Sequence, residues 1–232
     1  LGVLALLPFS ARTQAKGRPA GTPISSELFG LFFEDINYSA DGGLYAELIQ
    51  NRSFEYSPTE QREWHPLSSW EYLSPGFSYG QISIETKSPV HPNNPHYLLL
   101  NIEHVGREEK HSGPSGVGIS NTGFDGIVVK KGERYNFSVF AKQISSSPVA
   151  VSVSLQTHKG EILAEEKISI NSPEWKKYTG GLVAREATDS AKLVLLAETT
   201  GTIALDVISL FPERTFKNRP NGLRADLAQV LA

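Results

Sequence analysis

Across residues 70–211 apolar side chains recur at every second position, and this alternation restricts the fold more than any other feature of the chain. Tyr135, Phe137, Val139 and Ala141 fall on one side of such a stretch, while Arg134, Asn136, Ser138 and Lys142 mostly fall on the other. Val149, Val151, Val153 and Leu155 repeat the pattern, as do Ile82 with Ile84, and Ile203, Leu205 with Val207. The runs 97–102 and 193–197 supply further strands. Turn-forming residues lie between them: Pro75-Gly76, Pro92-Asn93-Asn94-Pro95, Lys131-Gly132-Glu133, His158-Lys159-Gly160 and Thr200-Gly201. Seven or eight short strands punctuated in this way predict a mainly β chain folded as a two-sheet antiparallel sandwich.

The flanking residues are patterned differently. Leu28-Phe29-Gly30-Leu31-Phe32-Phe33 is a nearly unbroken apolar run that ends in Glu34 and Asp35. Such a run suits a strand buried on both faces, as in a parallel sheet or barrel. Two alternatives remain for its acidic end: a solvated turn, or the C-terminal face of a barrel strand, where barrel enzymes keep their active sites. After Asp41-Gly42-Gly43, residues Leu44, Tyr45, Leu48 and Ile49 have helical spacing and predict a helix of two or three turns. Beyond Pro212, Asn221 is a candidate N-cap for a stripe of Leu223, Leu227, Val230 and Leu231. A strand and a helix separated by a whole sandwich read as one β/α unit carrying an insertion. The expected organisation is 1–22 signal remnant and linker, 23–50 strand and short helix, 51–212 sandwich, and 213–232 closing helix.

Composition narrows the chemistry. With a net charge of −3 and a pI near 6.1, the chain has no electrostatic case for nucleic acid. It contains no cysteine, which excludes disulfides, thiolate metal sites and cysteine nucleophiles. The apolar run of residues 1–9, followed by Ser10-Ala11, reads as the hydrophobic part and cleavage zone of a secretory signal. The missing initiator methionine and the uncapped final helix are read as marks of a piece of a longer protein. That signal sets the expected location as secreted or periplasmic, and no other stretch approaches membrane-span length.

Few residues qualify for chemistry. Cleaving a glycosidic bond takes two carboxyl groups about 5–5.5 Å apart in retaining enzymes and about 6.5–9.5 Å apart in inverting ones. Glu34 and Asp35 cannot be that pair on one strand, because adjacent side chains point to opposite sides. His91 and His96 flank a Pro-Asn-Asn-Pro turn without metal-ligand spacing, and Ser115 lacks the frame of a nucleophile elbow. Glu55 and Asp206 are a weak candidate pair for a structural calcium. Trp70, Tyr72, Phe77, Tyr79, Phe124, Trp175 and Tyr178 are candidates either for sugar stacking or for the core. Asn37, Asn51 and Asn136 fit the glycosylation frame, which matters only in a eukaryotic secretory host.

The phrases 28–37, Gly42-Gly43-Leu44-Tyr45-Ala46-Glu47-Leu48 and Asn51-Arg52-Ser53-Phe54-Glu55 resemble the start of family 51 α-L-arabinofuranosidases. Gly116-Val117-Gly118-Ile119, Asn121-Thr122-Gly123-Phe124 and Gly222-Leu223-Arg224-Ala225-Asp226-Leu227 resemble the same proteins further on, in the same order. The longer plant and bacterial forms, which carry a carbohydrate-binding-like insert, are the most similar. This resemblance implies a jelly-roll sandwich inserted between the first strand and first helix of an incomplete (β/α)8 barrel. It implies that Glu34 contacts the arabinofuranose and that 51–55 opens the insert. The acid/base and nucleophile glutamates would lie on later strands that nothing here matches. No cofactor or metal is implied. The implied partner is an arabinose-containing plant polysaccharide or oligosaccharide, and the oligomeric state stays open. Two other readings remain: a non-catalytic carbohydrate-binding or adhesion protein, and a sandwich that only braces the barrel.

Overall fold

Eleven strands, all paired antiparallel, form two sheets in the computed structural model, which describes residues 40–106 and 114–231. One sheet has the order β1 (Trp70–Leu73), β4 (Val117–Asn121), β10 (Thr188–Ala197), β7 (Val149–Gln156), β8 (Ile162–Ile170), with β5 (Ile127–Val129) also on β10. The other has the order β2 (Tyr79–Glu85), β3 (Tyr97–His104), β11 (Gly201–Pro212), β6 (Arg134–Gln143), β9 (Lys176–Val183). The chain passes repeatedly from one sheet to the other, as expected of a jelly-roll sandwich.

The alternation read from the sequence is what the core uses. Leu98, Leu100 and Ile102 of β3 and Tyr135, Phe137 and Val139 of β6 line one inner face. Val149, Val151, Val153 and Leu155 of β7, with Leu193 and Leu195 of β10, line the other. None of these is more than 2% exposed. Burying a Val, Leu or Phe side chain contributes about 1.5–3 kcal/mol, so this double layer is the main source of stability.

β11 departs from simple alternation. Ile203 and Leu205 face the core, but the register against β6 shifts between Asp206 and Ser209, and Ile208 and Leu210 then take over the inner face. Val207, expected to continue the inward series, instead sits at a positive φ of 48°. Such a bulge adds one residue and reverses the phase of every side chain beyond it. For a β-branched residue that conformation is strained, so its surroundings must hold it in place.

Two helix expectations are corrected. Residues 44–50 form no helix. Their backbone is used elsewhere: Ala46 N donates to Gly222 O at 3.1 Å, Leu48 N to Leu210 O at 3.0 Å, and Arg224 N to Leu44 O at 2.9 Å. The incoming segment therefore pairs with the outgoing one, and that tertiary pairing overrides the helical spacing. The final helix α1 (Ala225–Leu231) starts later than Asn221, which lies in a turn at φ 51°. Leu227 and Val230 of its apolar stripe are 37% and 84% exposed, and Ala228 is buried.

Replacing Leu205, which is 0% exposed, by alanine is expected to cost about 2–5 kcal/mol in denaturant unfolding. Val128→Ala, at a side chain 54% exposed, is expected to stay within about 0.5 kcal/mol of the parent.

Candidate functional site

The phrases 42–48 and 222–227, on either side of the sandwich, meet at one end of it. Asn51, held at φ 51°, donates from Nδ2 to the carbonyls of Pro66 (2.9 Å) and Ser68 (2.8 Å), and its Oδ1 accepts from Tyr56 N. Its carbonyl accepts from the Trp70 indole at 2.9 Å, and Phe54, fully buried, packs on Trp70. Asn121 donates to Gln50 O and accepts from Gly123 N. Gly42 and Gly123, both at positive φ, lie so close to the Phe124 ring and to Leu48 O that a Cβ would clash. The glycines in these phrases are thus required by close approach of the backbone.

Two buried carboxylates occupy the same end. Glu47 has no exposed surface and accepts from Leu210 N (2.9 Å), Leu48 N, Ile49 N and the Ser209 hydroxyl. Arg52 Nη1 lies 3.4 Å away. Burial pushes the Glu47 carboxyl above its ordinary value, and the hydrogen bonds and Arg52 oppose that shift. Asp206, also unexposed, accepts from Asn94 Nδ2 (3.0 Å) and from Val207 N (2.7 Å). Burial first, then the negative charge of Glu55, pushes Asp206 up to about 7.

Glu55 is itself paired with His96, through the backbone N–H at 2.8 Å and the ring Nδ1 at 2.6 Å. The suggested Glu55–Asp206 pair is therefore electrostatically coupled, but each carboxylate already accepts from protein donors. No group of three or more His, Asp or Glu suited to a metal occurs among the described residues. His91 belongs to a tight turn, bridged to Asn94. Asn51, one of the glycosylation-frame asparagines, has committed its side-chain amide to the fold.

The seven aromatic candidates separate by environment. Trp70 and Tyr178 are buried. Phe124 is half-buried against Gly42. Trp175 packs edge-on against Tyr97, and Lys142 Nζ lies 4.6 Å and 5.1 Å from their ring centroids. Trp175 Nε1 and Lys142 Nζ both donate to Ser88 O, so this ring and this ammonium are committed to contacts within the fold. Tyr72 reaches from β1 to β2, where its hydroxyl donates to Gly80 O and accepts from Gly80 N. Phe77 and Tyr79 remain open, at 83% and 56% exposure.

A cavity of about 170 Å³ beside Ser69, Trp70, Glu71, Ser120 and Thr122 is smaller than the roughly 300–1,000 Å³ of ordinary small-molecule pockets. The Ser120 hydroxyl in its wall is buried without a hydrogen-bond partner. Glu34 lies outside the described residues, as do Asp35 and Asn37. The sequence reading missed Glu47, and its only signal was a lone acid amid apolar residues. It also missed Lys142 and the contact of Asn94 with Asp206, which join positions far apart in the chain.

A family model described as a carbohydrate binding domain matches residues 104–202. The chain is 37% identical over 213 residues to an extracellular exo-α-L-arabinofuranosidase of Streptomyces chartreusis, covering 91% of this chain and 23% of that protein. It is 32% identical to α-L-arabinofuranosidase 1 of Arabidopsis thaliana, covering 91% of this chain and 30% of the relative. An arabinose-bound α-L-arabinofuranosidase of family GH51 superposes with a TM-score of 0.72 at 33% identity, over 87% of this chain and 32% of that one. The chain spans less than a third of the length of each of these relatives. No helix among the described residues is long and apolar enough to cross a membrane.

Stability is expected to depend on pH through Asp206. Its carboxyl holds a proton in the folded state up to about pH 7, whereas the unfolded chain releases it near its ordinary value of 3.8. Between those values the folded state binds more protons, so unfolding free energy falls as pH rises from 4 to 7. The raised Glu47 carboxyl acts in the same direction. Asp206→Asn is expected to flatten this dependence and raise the urea midpoint at pH 8 relative to the parent. A parent and variant with parallel profiles would remove Asp206 as its source.

Proposed function

We propose that this relative of the α-L-arabinofuranosidases is the N-terminal part of a secreted, retaining enzyme of that kind. The whole protein would remove terminal arabinofuranosyl residues from arabinan, arabinoxylan or arabinogalactan side chains. In this reading 51–212 form a carbohydrate-binding sandwich inserted between the first strand and first helix of a (β/α)8 barrel. Glu34 ends the first barrel strand and hydrogen-bonds the bound sugar. The catalytic glutamate pair lies outside the chain, which by itself is inactive.

The supporting observation is the extent of the similarity. It runs over 91% of the chain, well beyond the 104–202 matched by the binding-domain model. A free-standing sugar-binding module would account for the sandwich but not for the similarity of its flanks. Pairing of 44–48 with 210–224 also suits an inserted domain, because the two crossings of the chain lie side by side. The extracellular relative supports secretion.

The 232-residue chain is expected to release no arabinose from aryl arabinofuranosides and to be retarded in gels containing arabinan or arabinoxylan. Measurable hydrolysis would overturn the placement of the catalytic pair elsewhere. In the full-length protein, Glu34→Gln is expected to lower kcat/KM roughly ten- to hundredfold, as a charge-assisted hydrogen bond is worth about 1.5–3 kcal/mol. An unchanged kcat/KM would remove Glu34 from the sugar site.

A further inference from the structure

Three exposed rings gather at the end of the sandwich opposite the chain crossings. β1 starts at Trp70 beside Asn51 and runs to Leu73, and β3 starts next to the Glu55–His96 contact and ends at His104. The β1–β2 turn and the end of β3 are therefore remote from 44–56 and from Pro212. There Tyr79 stacks on His104, with ring centroids 5.3 Å apart and planes inclined by 25°. Phe77 precedes them at 83% exposure.

Phe77 is held outward by construction. It adopts φ 60°, a left-handed conformation that is costly for an aromatic residue. The turn is fixed by Ser78 N donating to Pro75 O, Gly116 N donating to the same carbonyl, and Gly106 N donating to Ser78 Oγ at 3.0 Å. The Tyr72 hydroxyl clamps the next residues by both backbone groups of Gly80. A large apolar ring held in water on a rigid turn keeps its face available, and a ligand seated on it would remove that face from water.

Polar groups border the rings. Gln81 and Ser83 follow Tyr79 on the exposed side of β2. Gln81 is paired in register with Asn101, whose amide donates to Glu103 and accepts from the Thr202 hydroxyl. We propose that Phe77 and the open face of Tyr79, whose other face is backed by His104, form a stacking platform for a neutral sugar ring, with Gln81, Asn101 and Glu103 beside it to hydrogen-bond its hydroxyls. Aromatic faces meet the C–H face of a sugar, while amide and carboxylate groups meet its edge. Three rings with a polar border are too few for a protein partner, whose stable interfaces bury about 800 Å² a side around an apolar centre. The platform rests on the sugar-binding part of the function proposed above.

Affinity electrophoresis and titration calorimetry of the 232-residue chain with arabinan, arabinoxylan and their oligosaccharides would test it. Phe77→Ala and Tyr79→Ala are expected to weaken binding roughly fivefold or more each. Both side chains are exposed, so the midpoint of unfolding is expected to stay unchanged. Val128→Ala, at an exposed site elsewhere, is expected to bind as the parent does. A parent that binds while both aromatic variants bind equally well would overturn the platform and leave sugar binding standing. A parent that binds none of these glycans would overturn the sugar-binding reading, and the platform with it.

Discussion

The Glu47 carboxylate is the interaction on which the rest of this unit depends. An acid with no exposed surface is tolerated only where several donors replace its water. Here those donors are the amides of Leu48, Ile49 and Leu210 and the hydroxyl of Ser209, with the Arg52 guanidinium near by. Two of the donors lie on the incoming segment and two on the last strand, so the acid ties them together. Its neighbours on β11 are presented by the bulge at Val207, which turns Ser209 outward towards the acid while Ile208 and Leu210 fill the core. Bulge and carboxylate thus support each other. The strained Val207 backbone supplies the geometry, and the Glu47 hydrogen bonds together with Ile208 N donating to Arg52 O help fix it.

The same end also holds Asp206, which accepts from the Val207 amide that the bulge frees and from Asn94 in the β2–β3 loop. Glu55 and His96 complete the cluster. The two buried acids, Glu47 and Asp206, lie where the chain crosses into and out of the sandwich, and the strands between rely on apolar packing. Concentration of polar networks at one place favours a unique arrangement there, because partial satisfaction is costly. It also makes that end the part of the unit most sensitive to pH.

The sandwich was legible because period two is a direct consequence of strand geometry and needs no partner to be recognised. Tyr135, Phe137 and Val139 point inward as their spacing requires. The failures have a common physical origin. Leu44, Tyr45, Leu48 and Ile49 have helical spacing, yet their backbone groups are captured by Gly222, Leu210 and Arg224, more than 160 positions away. Val207 was placed inward because a single inserted residue leaves no mark on composition. Asn221 has the chemistry of an N-cap, but it occupies a turn, and the helix starts only at Ala225. The environments of the aromatic candidates were likewise illegible, since only tertiary contacts distinguish Trp70 in the core from Phe77 in water.

The position of the two chain crossings bears on the insertion proposed above. An insertion can be accommodated between consecutive elements when its ends are close together and held rigidly. The hydrogen bonds from Ala46 to Gly222 and from Arg224 to Leu44 hold them so, and the edge-on contact of Tyr45 with Phe211 at 5.4 Å reinforces the pairing. With its ends fixed in this way, the sandwich can keep its own core independent of what precedes and follows it. Its opposite end is then free of any role in connecting the chain, which is why exposed rings can be carried there without loss to the fold.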